Sequence, residues 1–304
     1  MIKYLKHTEI NKQKWDACVT HAFNGIIYAY SWYLDIVNEG WDALVEGDYK
    51  TIMPLTKGKK YGFDYLYQPY FTQQLGVFSV DKINENVVTE FLKAIPKIFS
   101  FVEINCNTFN KINLAEYTVK PNITHELDLI NSYENLYQHY AENTKRNIKK
   151  AFQNKLELSQ EMSIDAMIEM FRANRGKTIN NLQNADYEIL KRLLNACLQQ
   201  RKGQIRAVIS AEKKIVASAF FVESNGKVIF LFSASNAEAK QTGAMPFLID
   251  RFIFDNSQRN LVFDFEGSNN PDLARFYKSF GSKECIYLQI RKNNLPFFLR
   301  WIKG

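Results

Sequence analysis

Cysteine is scarce and scattered. The 304-residue chain has four, Cys18, Cys106, Cys197 and Cys285, none in a Cys-x-x-Cys pair. That excludes a disulfide-framed secreted scaffold and a thiolate zinc site. Histidine is as rare, and His7, His21, His125 and His139 lie far apart. Together they make no metal-site spacing, so no metal is expected. Long hydrophobic runs are also missing. Nothing approaches the roughly 20 apolar residues of a membrane span, so no integral membrane segment is expected. The opening Met1-Ile2-Lys3-Tyr4-Leu5-Lys6 lacks the apolar core of a signal peptide. These absences predict a cytoplasmic protein with reduced thiols.

What is present is a large apolar inventory. Hydrophobic residues make up 46% and aromatics 14%, enough for a sizeable core. The length allows one large or two medium domains. The net charge of +7 is spread along the chain. It permits a phosphate-bearing or nucleic-acid partner without requiring one.

Patterning divides the chain into alternating strands and helices. A strand and a helix containing Trp15, Cys18 and Val19 open it. Ser31 is the expected cap of a second helix. Trp41–Gly47, Thr51–Leu55 and Tyr65–Pro69 read as strands, with a turn at Gly58–Gly62. The loop after them is rich in aromatics and amides and holds Gln73 and Gln74. It suits a pocket lining, or a buried strand end whose glutamines satisfy backbone groups. A helix over Val87–Ile95 and a strand over Phe101–Asn105 follow. Lys120-Pro121-Asn122 is the expected domain boundary, giving domains 1–120 and 121–304. Next, Asn143–Ala151 holds the densest positive patch: Lys145, Arg146, Lys149 and Lys150. A solvated helix face is one reading, a phosphate contact the other. A hairpin, Gln204–Ala211 with Ile215–Val222, leads into the last stretch. The tail Leu295–Ile302 is aromatic and basic and reads as packing on the domain, with membrane-surface binding as the alternative.

The stretch Val228–Gly281 organises the rest. Val228–Ser233 is a strand. Asn236–Met245 reads as a polar loop with one glycine, Gly243. Met245, Leu248, Ile249, Phe252 and Ile253 fall at helical spacing. Leu261–Glu266 is a second strand. In a regular strand Asp264 and Glu266 share one face while Phe263 and Phe265 share the other. Glu266 has a bland alternative as a cap of the next helix. Asn270-Pro271 then starts a helix, with Asn as N-cap and Pro at the first position. Its face is Leu273, Ala274, Phe276, Tyr277 and Phe280, and Gly281 stops it.

This order of elements resembles the C-terminal half of a GNAT-type acyltransferase. The motif Asn270 … Ala274-x-x-Tyr277-x-x-x-Gly281 is similar to that family's last helix. Val262-Phe263-Asp264-Phe265-Glu266-Gly267-Ser268 looks like the FemABX branch, which are peptidyl transferases with two GNAT-like domains. The order loop, helix, strand around Val102–Asn107 repeats around Phe263–Asn269 and fits such a duplication. The resemblance implies two α/β domains, each a mixed, mostly antiparallel sheet flanked by helices. It implies N-acyl transfer of an aminoacyl or acyl group to an amine acceptor, such as a cell-wall precursor. The donor would be aminoacyl-tRNA or acyl-CoA, with no permanently bound cofactor. Alternatives are an acetyl-CoA-dependent N-acetyltransferase acting on a small-molecule or glycan amine, and a degenerate pair that only binds.

Acyl transfer needs a neutral amine, a polarised carbonyl and a stabilised leaving group. Either Asp264 or Glu266 could take the amine proton. The resemblance implies Tyr277 as general acid, where FemABX ligases carry lysine, with Lys278 beside it. The expected site also includes Ser233 and Ser235 at the strand end. Gln73, Gln74, Lys145, Arg146 and Lys149 complete it as substrate contacts. The donor loop is Lys240-Gln241-Thr242-Gly243-Ala244-Met245. It keeps one glycine of the coenzyme A pyrophosphate motif and puts Met245 where a small residue is usual.

Overall fold

In the computed structural model, residues 1–159, 161–178, 182–267 and 269–296 are described. Ser268 and most of the aromatic tail read above, from residue 297 on, lie outside them. Contacts divide the chain into unit 1, Met1–Ile123 with Cys285–Gly304, and unit 2, Thr124–Glu284.

Unit 1 begins with β1 (Ile2–Leu5), α1 (Lys12–His21) and α2 (Ser31–Val37). Asn11 caps α1 by accepting from the Lys14 amide. The cap of α2 is Tyr30, not Ser31; the Ser31 amide and hydroxyl bond Asp16 instead. Next come β2 (Asp42–Glu46), β3 (Thr51–Leu55), β4 (Lys57–Lys60), β5 (Phe63–Tyr67), β6 (Phe78–Ser79), α3 (Glu85–Lys93) and β7 (Phe99–Asn105). The expected turn at Gly58–Gly62 is narrower, because Gly58 and Lys59 are already in β4. Strands β1-β2-β3-β6 form one antiparallel sheet.

β8 (Thr118–Asp128) runs without interruption through the expected boundary at Lys120–Asn122. Unit 2 then builds α4 (Tyr133–Gln138), α5 (Glu142–Gln153), β9 (Glu157–Ser159), α6 (Ile164–Ala173), α7 (Asn184–Gln199), β10 (Gly203–Ile209), β11 (Ile215–Ser224), β12 (Lys227–Ser235), α8 (Ala237–Thr242), α9 (Ala244–Asn256), β13 (Val262–Asp264) and α10 (Pro271–Lys278). Its strands lie in the order β8-β13-β12-β11-β10-β9. Every pair there is antiparallel except β12 with β13.

The final strand β14 (Lys283–Asn293) returns to unit 1, where β4, β5, β7 and β14 follow in order. Its Gln289–Asn293 pairs antiparallel with β7. The sequence reading ends the second domain at 304; the contacts assign the chain from Cys285 onward to unit 1 instead. A mixed, mostly antiparallel architecture in both units is the fold the sequence predicts.

The core of unit 2 is aromatic. Phe221 of β11 stacks on Phe252 of α9 at 3.8 Å between centroids, nearly parallel. Phe263 lies 5.2 Å from Phe252 and 4.2 Å from Phe265. Tyr277 and Phe280 of α10 close over Phe265 at 5.1 and 5.8 Å. Each of these rings, once buried, contributes about 1.5–3 kcal/mol. Together they fix α9 and α10 on one face of the sheet.

Candidate active site

Two irregularities shape the sheet of unit 2 near its parallel pair. The first is the length of β13. It pairs with β12 only at Lys227, Val228 and Ile229, while β12 runs on to Ser235. Among the described residues, Phe230–Ser235 therefore has no strand neighbour on the β13 side. Its outward backbone groups remain for a ligand, as in peptides that add to a sheet edge. The second is a bulge. Phe220 and Phe221 oppose Phe232 and Phe230, leaving Leu231 extra on β12. Phe230 accordingly contacts Tyr277 on one face, while Phe232 contacts Phe171 of α6 on the other. After the bulge, alternation puts Ser233 and Ser235 on the Phe230 face. That is the face covered by α10.

Tyr277 projects from the second turn of α10. Asn270 caps this helix by accepting from the Asp272 and Leu273 amides. The Tyr277 ring is buried among Phe230, Phe265, Phe276 and His125. Burial raises its pKa well above the ordinary 10, and the nearby charges of Glu266 and then Asp264 raise it further. The hydroxyl keeps its proton at any physiological pH.

The two carboxylates do not share a face. The strand ends at Asp264, and Glu266 sits at φ +60°, in the left-handed region. Non-glycine residues rarely hold that conformation, and it concentrates at functional sites. Two hydrogen bonds impose it: the Phe265 amide donates to the His125 carbonyl at 2.9 Å, and the Glu266 amide to Asp264 Oδ1 at 2.9 Å. Strand alternation thus fails after Asp264, and the expected side-by-side pair is corrected.

Asp264 is also not available as a base. It is fully buried, on the sheet face opposite Phe263 and Phe265. It accepts from the Thr124 hydroxyl at 2.6 Å and from Lys227 Nζ at 3.3 Å. Lys227 reaches Glu126 at 2.5 Å as well. Burial would lower the Lys227 pKa, but Asp264 and Glu126 more than offset it and hold the ammonium charged. Such a buried, satisfied cluster fixes the end of β13; breaking one partner leaves an uncompensated charge. Glu266 is different. Burial alone raises its carboxyl to about 8.

Thr124, Glu126 and Lys227 are missing from the sequence reading, and His125 enters it only as one of four scattered histidines. No spacing could have revealed them, because β8 meets β13 across about 140 residues of chain. His125 is fully buried beside Tyr277, and burial lowers its pKa, so it stays neutral.

The remaining expected residues fall in several places. Lys278 is exposed and bonds Glu284 at 2.9 Å. Lys145 is half-buried, held by Glu142 at 3.1 Å and lying over the Tyr137 ring. Arg146, Lys149 and Lys150 are exposed on α5 with no acidic partner among the described residues. In unit 1, Gln74 donates to Gln73 Oε1 at 2.8 Å and accepts from the Thr108 amide at 3.1 Å. The Gln73 carbonyl accepts from Asn105 at 2.9 Å, and the Gln73 Nε2 atom is enclosed without a hydrogen-bond partner. That donor is a candidate contact for a ligand carbonyl.

The donor loop departs most from expectation. Residues 237–242 form the helix α8, capped by Asn236. Lys240 and Gln241 are exposed on it. Gly243, at φ +77°, makes the joint between α8 and α9. A Cβ added there would collide with the Asn147 carbonyl of α5. The glycine serves packing between helices, and the space a pyrophosphate would need is filled by protein. Pro246 further removes one first-turn amide of α9. The residues present do not fit a coenzyme A pyrophosphate at Gly243. Among the described residues no cluster of three metal-ligating side chains occurs, and no helix is long and apolar enough to cross a membrane.

Residues 138–279 match the acetyltransferase (GNAT) domain family. Among solved structures, FemX superposes with a TM-score of 0.70 at 13% identity, covering 99% of this chain and 100% of its own. A conserved protein of unknown function from Bacteroides thetaiotaomicron gives 0.60 at 11% identity, over 96% and 99%. The C-terminal domain of a protein assigned as lysylphosphatidylglycerol synthetase, from Agrobacterium fabrum, gives 0.58 at 10% identity, over 96% and 94%. No curated protein matches the sequence.

Proposed function

We propose that this chain, whose fold is similar to FemX and whose residues 138–279 match the acetyltransferase (GNAT) domain family, transfers an aminoacyl or acyl group to an amine acceptor at the open end of β12. The acyl donor of a GNAT domain is a co-substrate, not a resident group. One observation carries the proposal: a half-buried carboxyl near neutrality in the turn after β13, and a protonated phenol on α10, the helix that follows, come from the chain just beyond the short strand beside β12.

The donor's acyl chain lies along Phe230–Ser235, where backbone amides take its carbonyl groups, with Ser233 and Ser235 on the same face. The acceptor ammonium gives a proton to the Glu266 carboxylate, which passes it to solvent, and the neutral nitrogen attacks the acyl carbon; the second proton, on the nitrogen of the tetrahedral intermediate, leaves by the same carboxylate. As the tetrahedral intermediate collapses, the bond to the leaving group breaks. Tyr277 protonates the departing atom and regains a proton from solvent. A base near 8 is better matched to an ammonium acceptor than an ordinary Glu near 4.3.

The same electrostatics favour an ester donor over a thioester. A phenol held well above 10 is a weak acid. It gives its proton more readily to an alkoxide, the far stronger base, than to a thiolate near 8.5. Together with the filled space at Gly243, this supports an aminoacyl ester, as on charged tRNA, over acyl-CoA. Lys145, Arg146 and Lys149 would contact phosphates of a substrate. By this reading the acceptor is a peptide-bearing cell-wall precursor; Gln73 and Gln74, taken within unit 1 by itself, remain candidate contacts for amide groups of a ligand. The acetyl-CoA reading is kept by the GNAT domain match alone.

The deciding experiment offers charged tRNA, acetyl-CoA and cell-wall precursor amines, with mass spectrometry of the acceptor. Transfer from charged tRNA but not from acetyl-CoA is expected. Efficient acetylation from acetyl-CoA would reverse the donor assignment.

A further inference from the structure

One face of unit 2 is left unexplained by acyl transfer. Phe152 at the end of α5 is 53% exposed, Phe254 on α9 is 47% exposed, and Ile130 before α4 is 56% exposed. They are linked through neighbouring side chains. The Arg251 guanidinium lies 5.5 Å from the Phe152 ring and 4.7 Å from the Phe254 ring. Tyr133 meets Phe254 edge-on at 4.9 Å and lies 5.6 Å from Tyr137. Lys145 extends the line over Tyr137. Ile130 precedes Asn131, whose carbonyl takes the Gln258 amide at the end of α9. Phe152 and Phe254 thus stand in water about one guanidinium, and Ile130 is exposed on the chain that leads into α4.

The charges around them lean positive: Asp255 beside Phe254 is taken by Arg206, while Asp128 before Ile130 stays an exposed acid. Arg251 is neutralised by Asp250 at 2.7 Å. Of the exposed acids on α4 and α5, Glu142 is taken by Lys145, which leaves Glu134. Arg146, Lys149 and Lys150 stand exposed on α5 with no acid partner among the described residues. Aromatic and aliphatic tips beside unpaired lysines are the composition of an interfacial surface: the apolar groups enter the headgroup boundary and the cations meet lipid phosphates. RNA would need open ring faces for base stacking. Here Arg251 already occupies a face of both Phe152 and Phe254, and aliphatic Ile130 offers no stacking surface.

We propose that the face formed by α4, α5 and the end of α9 docks on an anionic lipid bilayer, with Ile130, Phe152 and Phe254 inserted and Arg146, Lys149 and Lys150 on the phosphates. This rests on reading the basic run as a phosphate contact and makes the source of those phosphates the membrane. Such docking would bring the site to acceptors carried on a lipid.

The test is co-sedimentation of the full chain with vesicles of phosphatidylglycerol and phosphatidylcholine, against phosphatidylcholine alone. Binding to the anionic vesicles is expected, weakening with salt. Phe152→Ser with Phe254→Ser, and separately Lys149→Glu with Lys150→Glu, should each lower it about 10- to 100-fold, with unchanged circular dichroism. In a second measurement, Phe152→Trp should be quenched by brominated lipid, which reports insertion without relying on lost binding. No sedimentation, equal binding to neutral vesicles, or an unquenched tryptophan overturns the proposal. Calorimetry with inorganic pyrophosphate separates the two readings. If the lysine variant loses pyrophosphate but vesicles never bind, the phosphate contact stands and the membrane proposal fails.

Discussion

At the scale of single residues, Tyr277 and Glu266 divide the proton work and can be tested apart. A hydroxyl that donates only as the leaving group departs acts on rate more than on binding. Tyr277→Phe should therefore lower kcat by about 10²–10⁴-fold with little change in KM, measured by steady-state kinetics on the productive donor. Full activity in that variant would make Tyr277 a core residue and end the mechanism. Glu266 is read through pH. It must be ionised to take a proton, so the rate should rise with pH through about 8, and Glu266→Gln should flatten that limb. Stability has the opposite sign. The folded carboxyl titrates above its unfolded value, so its contribution is fully present below about 4.5 and is lost as pH rises through about 8. Wild type should lose thermal stability relative to Glu266→Gln between pH 5 and 9. Parallel melting curves across that range would show that the group is not buried as described.

Among the elements, the joint between α8 and α9 sets a limit on mutagenesis. Gly243 holds a left-handed conformation with the Asn147 backbone against it. Gly243→Ala should lower Tm by several degrees, and Gly243→Arg should fail to fold stably; scanning calorimetry checks both. Loss of donor binding in the arginine variant would then report unfolding, not a blocked phosphate site. The start of α10 is more forgiving, and Asn270→Ala should cost about 1 kcal/mol, the usual loss of a side-chain cap. These contrasts explain what the sequence could convey. The Asn270-Pro271 start and the Met245–Ile253 face are local signals, and the structure has both where the spacing puts them. α8 is a short polar segment without an apolar stripe and reads as loop. The early end of β13 and the turned-back Glu266 depend on β8, through Thr124 and the His125 carbonyl. No local pattern encodes a partner that distant. The fold class was legible because it rests on element order, which local signals carry. The geometry of the carboxylates was not, because it rests on pairing.

For the whole molecule, the path of the chain matters more than any domain boundary. The chain leaves unit 1 inside β8 and re-enters it inside β14. A fragment of residues 1–120 lacks Gln289–Asn293, which pair with β7. That fragment should not give a cooperative melt by circular dichroism, although it contains the N-terminal domain as the sequence suggests it. Cooperative unfolding of the fragment would show that β14 is dispensable. The return of β14 also has a consequence in time. Asn293 pairs with Phe101, a separation far larger than most contacts in small domains, and such closures are slow. During synthesis the last strand of unit 1 does not exist until all of residues 124–284 have been made. At about 5–20 residues per second the nascent first unit waits on the order of 10–30 s with β7 lacking this neighbour. Unit 2 is complete before that moment. The half of the chain translated first is the half that finishes folding last.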